Sequence, residues 1–461
     1  MIDFISGLNG YLWGFPMIAL LFSTHIFMTG KTRGIQRKLL KGIRLSVTRP
    51  EGDAGEISPF EALSTSLAST LGTGNIIGVA SAVAMGGAGA VFWCWITGIL
   101  GMATQYAEVV LSVKYRVKNS KGELVGGPMY SLIRGVKSRP LGLLYAFAAA
   151  LGGLITGSVI QSNAIFSVFS QGAFSESVKL NFFGMNISLT ALIVGVAAAF
   201  LTSMVIFGGI SFISKICRYL VPFMAAVFML SCAVVLFINR SYLGEAIGRI
   251  FRDAFLPRSA GGGFVGSTIL VAARFGVARG LFSNEAGLGT SSIVSASANT
   301  PNPVRQALVS MTATFWDTVV MCFVTGLVIV SSIANAEGSV DYVDSASACY
   351  LAFSRIPYIG GAVLTFSMTV FAFSTIIGLS CVGANCVTCV FGVKAVTPYR
   401  ILWVAGVFIA PMVPLDVLWS VADLCNATLA VPNVLSLFML RNVVQEESEK
   451  YLGNLNMPSK A

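Results

Sequence analysis

The chain has 461 residues, of which 55% are hydrophobic and only 11% charged. Soluble domains carry about a quarter of their residues as Asp, Glu, Lys and Arg, so a water-facing globule is excluded. The formal net charge of +10 would suit nucleic acid, but the basic residues sit between long apolar runs, where they signal membrane orientation. No nucleic-acid partner is expected.

About 20 consecutive apolar residues cross a bilayer as a helix. Residues 141–175, 186–214, 219–239 and 356–393 reach that length without one charge. Continuous runs, in place of short alternating segments, argue against an outer-membrane barrel. The expected class is an all-α polytopic membrane protein whose surroundings are the lipid bilayer.

In chain order, the first apolar run, near 11–30, lacks a basic head and a cleavage site and reads as a retained helix. Further spans fall near 59–84, 88–113, 142–170, 187–208, 218–238, 263–293, 306–335, 358–391, 400–414 and 417–440, about eleven in all. With the N-terminus outside, the inner segments hold 22 of the 30 Lys and Arg. That bias predicts an N-terminus out and a C-terminus in, in a bacterial or archaeal cytoplasmic membrane. The outer segment 239–262 is the exception, with Arg240, Arg249, Arg252 and Arg258; its stretch 246–252 reads as an interfacial amphipathic helix.

The spans divide into a leading helix with a basic cytoplasmic segment (1–57), a first five-helix repeat (58–240) and an outer amphipathic loop (241–262). A second, inverted five-helix repeat (263–441) and a cytoplasmic tail (442–461) follow. The two groups begin on opposite sides of the membrane, as an inverted repeat requires.

Two spans carry polar interruptions at corresponding places. In the second span, Gly72-Thr73-Gly74-Asn75 crowds the middle of an otherwise apolar segment. In the seventh, Ser283-Asn284-Glu285 is followed by Gly287 and Gly289. Each Gly lowers helix stability by about 1 kcal/mol relative to Ala. Unwound backbone at membrane depth must line a cavity or bind something, and paired broken helices point to a transporter's binding site. Freed amides at a half-helix N-terminus attract a carboxylate; freed carbonyls with hydroxyl oxygens suit a hard cation. Gly78, Gly86, Gly87 and Gly89 are read as close helix contacts.

At these residues the chain resembles a known family. The stretch 64–80 is similar to the signature of the alanine/glycine:cation symporters, also called sodium:alanine symporters. So are 101–108, 126–130, 276–289, 423–426 and 431–433, and the resemblance covers nearly the whole chain. It implies the five-plus-five inverted repeat of the leucine-transporter type with one extra leading helix. It also implies symport of a small neutral amino acid, alanine (the D-form included) or glycine, with Na⁺ as coupling ion and no cofactor.

The stretch 72–75 also looks like the unwound segment of the leucine transporter. By that likeness the amides of Thr73 and Gly74, beside Gly72 and Asn75, would take the substrate carboxylate. Ala68 and Leu71 carbonyls would join Asn75, Ser374 and Thr375 around Na⁺. Gln161 would face the substrate, with Asn163 nearby in sequence, and Ser283 and Asn284 would complete the substrate site. Leu379 stands where the family commonly has Trp, which reshapes one pocket wall and leaves a larger neutral amino acid such as glutamine as an alternative. H⁺ coupling, or a channel or amino-acid sensor on the same fold, are further readings. His25 replaces a usual glycine and reads as a packing or interfacial residue.

Charges inside spans need partners. Glu285 is expected to pair with Arg279 or Arg274, with a cation or proton role as the alternative. Asp317 is expected to organise a polar network or to hold a cation. Glu108 is expected to form a structural or gating ion pair with Lys114 or Arg116. The nine cysteines lie mostly in apolar runs, and Cys386 and Cys389 lack a second pair to complete a metal site. With one histidine and no acidic pair or metal spacing, no catalytic constellation is expected.

Overall fold

The computed structural model describes residue 13 and residues 15–48, 57–171, 179–182, 185–256, 267–335, 345–413 and 416–454. Helix α1 (Phe15–Lys31) leads through a tight turn into a short surface helix, α2 (Leu39–Val47). Then come α3 (Pro59–Thr70), α4 (Ile77–Gly86) and α5 (Gly89–Lys114). A hairpin of β1 (Val117–Lys118) and β2 (Leu124–Val125) pairs antiparallel, with Val117 opposite Val125. Helices α6 (Arg139–Ser170), α7 (Leu189–Ile206) and α8 (Gly209–Ile238) complete the first group, with an antiparallel pair β3 (Lys179–Phe182) and β4 (Met185–Ser188) before α7.

The second group begins after α9 (Leu243–Phe255), the interfacial helix expected from its charge pattern. It comprises α10 (Ser267–Asn284), α11 (Thr290–Ser295), α12 (Pro303–Asn335), α13 (Ser345–Phe353), α14 (Gly360–Phe391), α15 (Val396–Ile409) and α16 (Asp416–Met439). The chain ends in α17 (Arg441–Asn454). Each expected span coincides with a helix or a bent pair. Among the described residues, eight helices are long and apolar enough to cross a membrane, or nine with α3 and α4 counted as one span. The leading helix has 17 residues, and α10 carries Arg274 and Arg279, so both fall short on length or apolarity.

Two helices depart from expectation. The segment after α12, expected to lie outside, contains α13, and the expected polar tail begins with α17. That helix is held by tertiary contacts: Val444 is buried, and the Tyr106 hydroxyl meets Ser448 Oγ at 2.7 Å. Residues 1–12, the loop residues 257–262 with Arg258, and the tail 455–461 lie outside the described residues.

Local chemistry explains the first break. Ser58 caps α3 in a reciprocal box: Glu61 N donates to Ser58 Oγ at 3.2 Å and Ser58 N to Glu61 Oε2 at 2.8 Å, with Pro59 in the first turn. The helix ends where Leu71 turns extended (ψ 94°), and the pair resumes at an angle of 64°. The second break lies between α10 and α11, where Glu285, Gly287 and Gly289 all have positive φ (53°, 96° and 81°). Glycine meets that requirement without a Cβ clash.

Helix α14 runs 32 residues without interruption and lies against α3. Gly378 permits the contact, since a Cβ there would reach Ser69 N at 2.6 Å. The interior between α8 and α14 is aromatic, with Phe228 and Phe371 edge to face at 5.4 Å. The outer faces of α7 and α8 expose Phe200, Met204, Phe223, Leu230 and Phe237, an apolar surface suited to lipid.

Candidate substrate and cation site

A cavity of about 650 Å³ opens between the two breaks. Gly72, Thr73, Gly74, Gln161, Ser283, Thr375 and Leu379 line it, so seven expected site residues converge from four separate spans. The cavity extends past Gly78 and Met85 of α4 and Arg274 of α10 toward Trp13, at the N-terminal end of α1. A π-helical turn, Leu154–Ile160, places Thr156 and Ile160 in the cavity wall and directly precedes Gln161, and a second, Phe315–Cys322, carries Asp317 behind the wall. Such turns shift register locally and recur at functional sites.

The unwound segment has a defined hydrogen-bond pattern. Gly72 N donates to the Asn75 side-chain oxygen at 2.9 Å. In a continuous helix that amide would close on Ala68 O, so the break diverts it. Asn75 N donates to Gly72 O and Ile76 N to Thr73 O, both at 3.2 Å. Among the described residues, the amides of Thr73 and Gly74 have no protein acceptor, and both residues line the cavity. The Thr73 hydroxyl donates to Gln161 Oε1 at 3.2 Å, joining the broken helix to α6. Asn163 points elsewhere, donating to Ala410 O at 3.2 Å.

Behind Gly72, four oxygens meet. Thr375 Oγ1 lies 3.2 Å from Leu71 O and 3.1 Å from Phe371 O. Ser374 Oγ lies 3.4 Å from Leu71 O and 2.8 Å from Phe371 O. The Phe371 carbonyl was not in the expected set; its place four residues before Thr375 on one helix face was the available signal. Ala68 is buried one turn before Leu71, beside Gly378. Two carbonyls and two hydroxyls are hard oxygen donors, and among the described residues no cluster of His, Cys, Asp and Glu could hold a transition metal.

Asn75 does not line the cavity. It is fully buried, and its amide donates to Asp317 Oδ1 at 2.7 Å and to Ser283 Oγ at 3.0 Å. Asp317 also accepts from Ser283 Oγ at 2.8 Å and Thr318 Oγ1 at 2.6 Å. Asn284 reaches the same network, donating to Thr318 Oγ1 at 3.2 Å, and it too lies behind the cavity wall. Asp317 therefore organises the polar network that joins both breaks.

The expected pairing of Glu285 with Arg279 or Arg274 does not form. Its carboxylate accepts from the Thr290 hydroxyl, across the second break. Arg279 lies six residues earlier, about 240° around the helix, and the positive φ of Glu285 turns the chain further away. Arg279 instead lies in the field of Asp423 on α16, and both line the cavity.

The expected ion pair of Glu108 is also absent. Glu108 Oε1 accepts from Gly287 N at 2.8 Å and from Asn433 Nδ2 at 2.6 Å. Its carboxylate is buried one and a half turns before the helix end, whereas Lys114 reaches Glu447 of α17 at 2.8 Å. Arg116 donates to the carbonyls of Ala296, Ala298 and Thr300 at 2.7–3.0 Å, a cation at the C-terminal end of α11.

These contacts form a floor beneath the cavity. Ser291 meets Ser66 Oγ at 2.5 Å and Gln105 Nε2 at 2.6 Å. The Tyr145 hydroxyl donates to Leu288 O at 2.6 Å. His25 is a packing residue, fully buried on α1 with Nδ1 at 2.8 Å from Thr104 Oγ1.

The sequence profile of the sodium:alanine symporter family matches residues 1–460. The sodium/alanine symporter AgcS of Methanococcus maripaludis is 38% identical over 457 residues, covering 98% of this chain and 97% of that protein. The probable sodium/glutamine symporter GlnT of Bacillus subtilis is 31% identical over 450 residues, covering 96% and 89%. Among solved structures, MhsT in complex with L-phenylalanine superposes with a TM-score of 0.59 at 16% identity, covering 84% of this chain and 90% of that one. That likeness shows the leucine-transporter fold. With its broken helices, its apolar spans and a profile match along its whole length, this chain belongs to the sodium:alanine symporter family.

Proposed function

We propose that the protein is a secondary active symporter that imports a small neutral amino acid, alanine or glycine, together with Na⁺. One observation carries the reading. The unpartnered amides of Thr73 and Gly74 face the cavity while, directly behind them, the oxygens of Leu71, Phe371, Ser374 and Thr375 converge.

The amides at the start of α4 would take the carboxylate, where the half-helix dipole favours negative charge. The C-terminal end of α10, of opposite polarity, suits the ammonium group. Na⁺ would take the four oxygens with Ala68 O as a fifth, bracing Leu71 at the edge of the unwound segment. Because one segment serves both ligands, Na⁺ raises amino-acid affinity, and linkage requires the amino acid to tighten Na⁺ by the same factor.

In the charge-biased orientation, N-terminus out and C-terminus in within a cytoplasmic membrane, the cavity faces outward. The floor at Glu108, Gly287 and Ser291 then closes the inner side. Transport proceeds by alternating access, as the bundle holding the two broken helices rocks against its scaffold and the sealed side changes. Labelled alanine uptake into proteoliposomes should require an inward Na⁺ gradient and show saturable counterflow. Uptake indifferent to collapse of both Na⁺ and H⁺ gradients would sink the coupling, and absent counterflow would favour a channel or sensor.

Leu379 supports a second reading, a larger neutral substrate. It lines the cavity beside Gly157 of α6, where a Trp side chain would fill more of the space. A relative's name includes glutamine. Competition of labelled alanine uptake by unlabelled glycine, alanine and glutamine separates the two.

A further inference from the structure

A second cavity, about 580 Å³, lies far from the transport site, between the end of α1, the turn into α2 and the C-terminal helix α17. Lys31, Arg33, Arg37, Lys38 and Lys41 line it against one carboxylate, Glu449. Arg33 holds that carboxylate at 2.9 Å. Among the described residues, the other four cations have no carboxylate within ion-pair distance.

Lys41 is half-buried, with its ammonium 5.5 Å from the centre of the Tyr451 ring. Burial and the neighbouring Lys38 lower its pKa from the ordinary lysine value. The cations are thus crowded into one concavity with a single acid to offset them. A turn at Gly34, with φ +69°, folds the chain so that α1, Arg37 and α2 share it.

Helix α2 adds an independent observation. One face, at Gly42, presses against Leu308 and Thr312 of α12. The other exposes Leu40 (80%) and Val47 (73%), two turns apart on the same side. A short helix with exposed apolar residues beside a basic concavity has the character of an interfacial element.

We propose that this cavity binds the phosphate headgroup of an anionic phospholipid, with Arg37, Lys38 and Lys41 on the phosphate and the acyl chains along Leu40 and Val47. A free phosphate shares the headgroup chemistry; the exposed Leu40 and Val47 favour the lipid, because a soluble anion gains nothing from them. Each Lys or Arg near an anionic surface contributes about 1 kcal/mol, which is roughly fivefold in affinity. Bound lipid would tie α1, α2 and α17 together at the membrane surface.

The test uses the full-length protein, delipidated in neutral detergent. It is titrated with phosphatidylglycerol, phosphatidylcholine and inorganic phosphate, reading Tm and lipid retained in native mass spectra. Phosphatidylglycerol should raise Tm saturably and stay bound, while phosphatidylcholine should not. Arg37→Gln with Lys38→Gln should weaken phosphatidylglycerol by roughly 25-fold, and Arg37→Lys with Lys38→Arg should retain it. Should the double Gln variant fold poorly, exposed Lys38→Gln alone should show about a fivefold loss. Equal retention of both lipids, full affinity in the Gln variants, or displacement by inorganic phosphate at matched concentration would overturn the lipid site.

Discussion

Replacing Thr375 by valine removes one hydroxyl and leaves the side chain's shape intact. In the fold, Leu71 O loses its partner at 3.2 Å but retains Ser374 Oγ at 3.4 Å. Phe371 O likewise retains Ser374 Oγ at 2.8 Å. The stability loss is therefore about 1 kcal/mol, that of one ordinary hydrogen bond. The proposed Na⁺ site, by contrast, loses one of the four oxygens seen to converge. An interaction with a charged group contributes about 1.5–3 kcal/mol, so the Na⁺ concentration for half-maximal uptake should rise roughly 12- to 150-fold. Alanine uptake measured against Na⁺ at constant ionic strength gives this directly, with Thr375→Ser expected to restore most of the affinity. Two results would refute the reasoning. One is an unchanged Na⁺ half-saturation. The other is a fall in alanine affinity that saturating Na⁺ does not repair.

Four further outcomes follow from the geometry. Gly72→Ala places a Cβ 2.6 Å from Thr375 Oγ1, so it should cost about 1–3 kcal/mol in strain and impair Na⁺-dependent uptake; wild-type kinetics would mean the breaks are not held in this contact. Glu108→Ala leaves Gly287 N without its buried acceptor, about 1–3 kcal/mol, while Asn433 Nδ2 loses one of its two acceptors and keeps Gly287 O at 2.8 Å, so an unaltered melting curve would argue against the floor. Asp317→Leu removes the acceptor shared by Asn75, Ser283 and Thr318 and should abolish uptake along with lowering Tm, whereas normal uptake would show that the network does not position Asn75. Leu379→Trp should suppress competition by glutamine more than by glycine, and equal suppression would place Leu379 outside the side-chain pocket.

Much of this architecture was legible along the chain because membrane helices leave strong linear signals. Apolar length marked each span, and the charge pattern of 246–252 anticipated α9. Gly72-Thr73-Gly74-Asn75 and the run from Ser283 to Gly289 located both breaks, since glycines and polar side chains at membrane depth have few other uses. Helix α17 was missed for the opposite reason: its polar sequence carries no such signal, and Tyr106, Lys114 and Val444 hold it through contacts distant in sequence.

Pairing was the part that linear order misjudged. Glu285 and Arg279, and Glu108 and Lys114, are neighbours in sequence but not in space, because helical rotation and one residue with positive φ send their side chains apart. Glu108 finds Gly287 and Asn433 instead, 179 and 325 positions away. Asn75 finds Asp317, 242 positions away. The sequence by itself determined that the chain crosses a membrane, where its helices break, and which residue types stand at the breaks, for these depend on local apolarity and backbone freedom. Only the tertiary structure decided which polar groups face the cavity and which lock the two breaks together. A buried carboxylate is satisfied by whichever donors close packing brings within hydrogen-bond reach, and that reach is set in three dimensions.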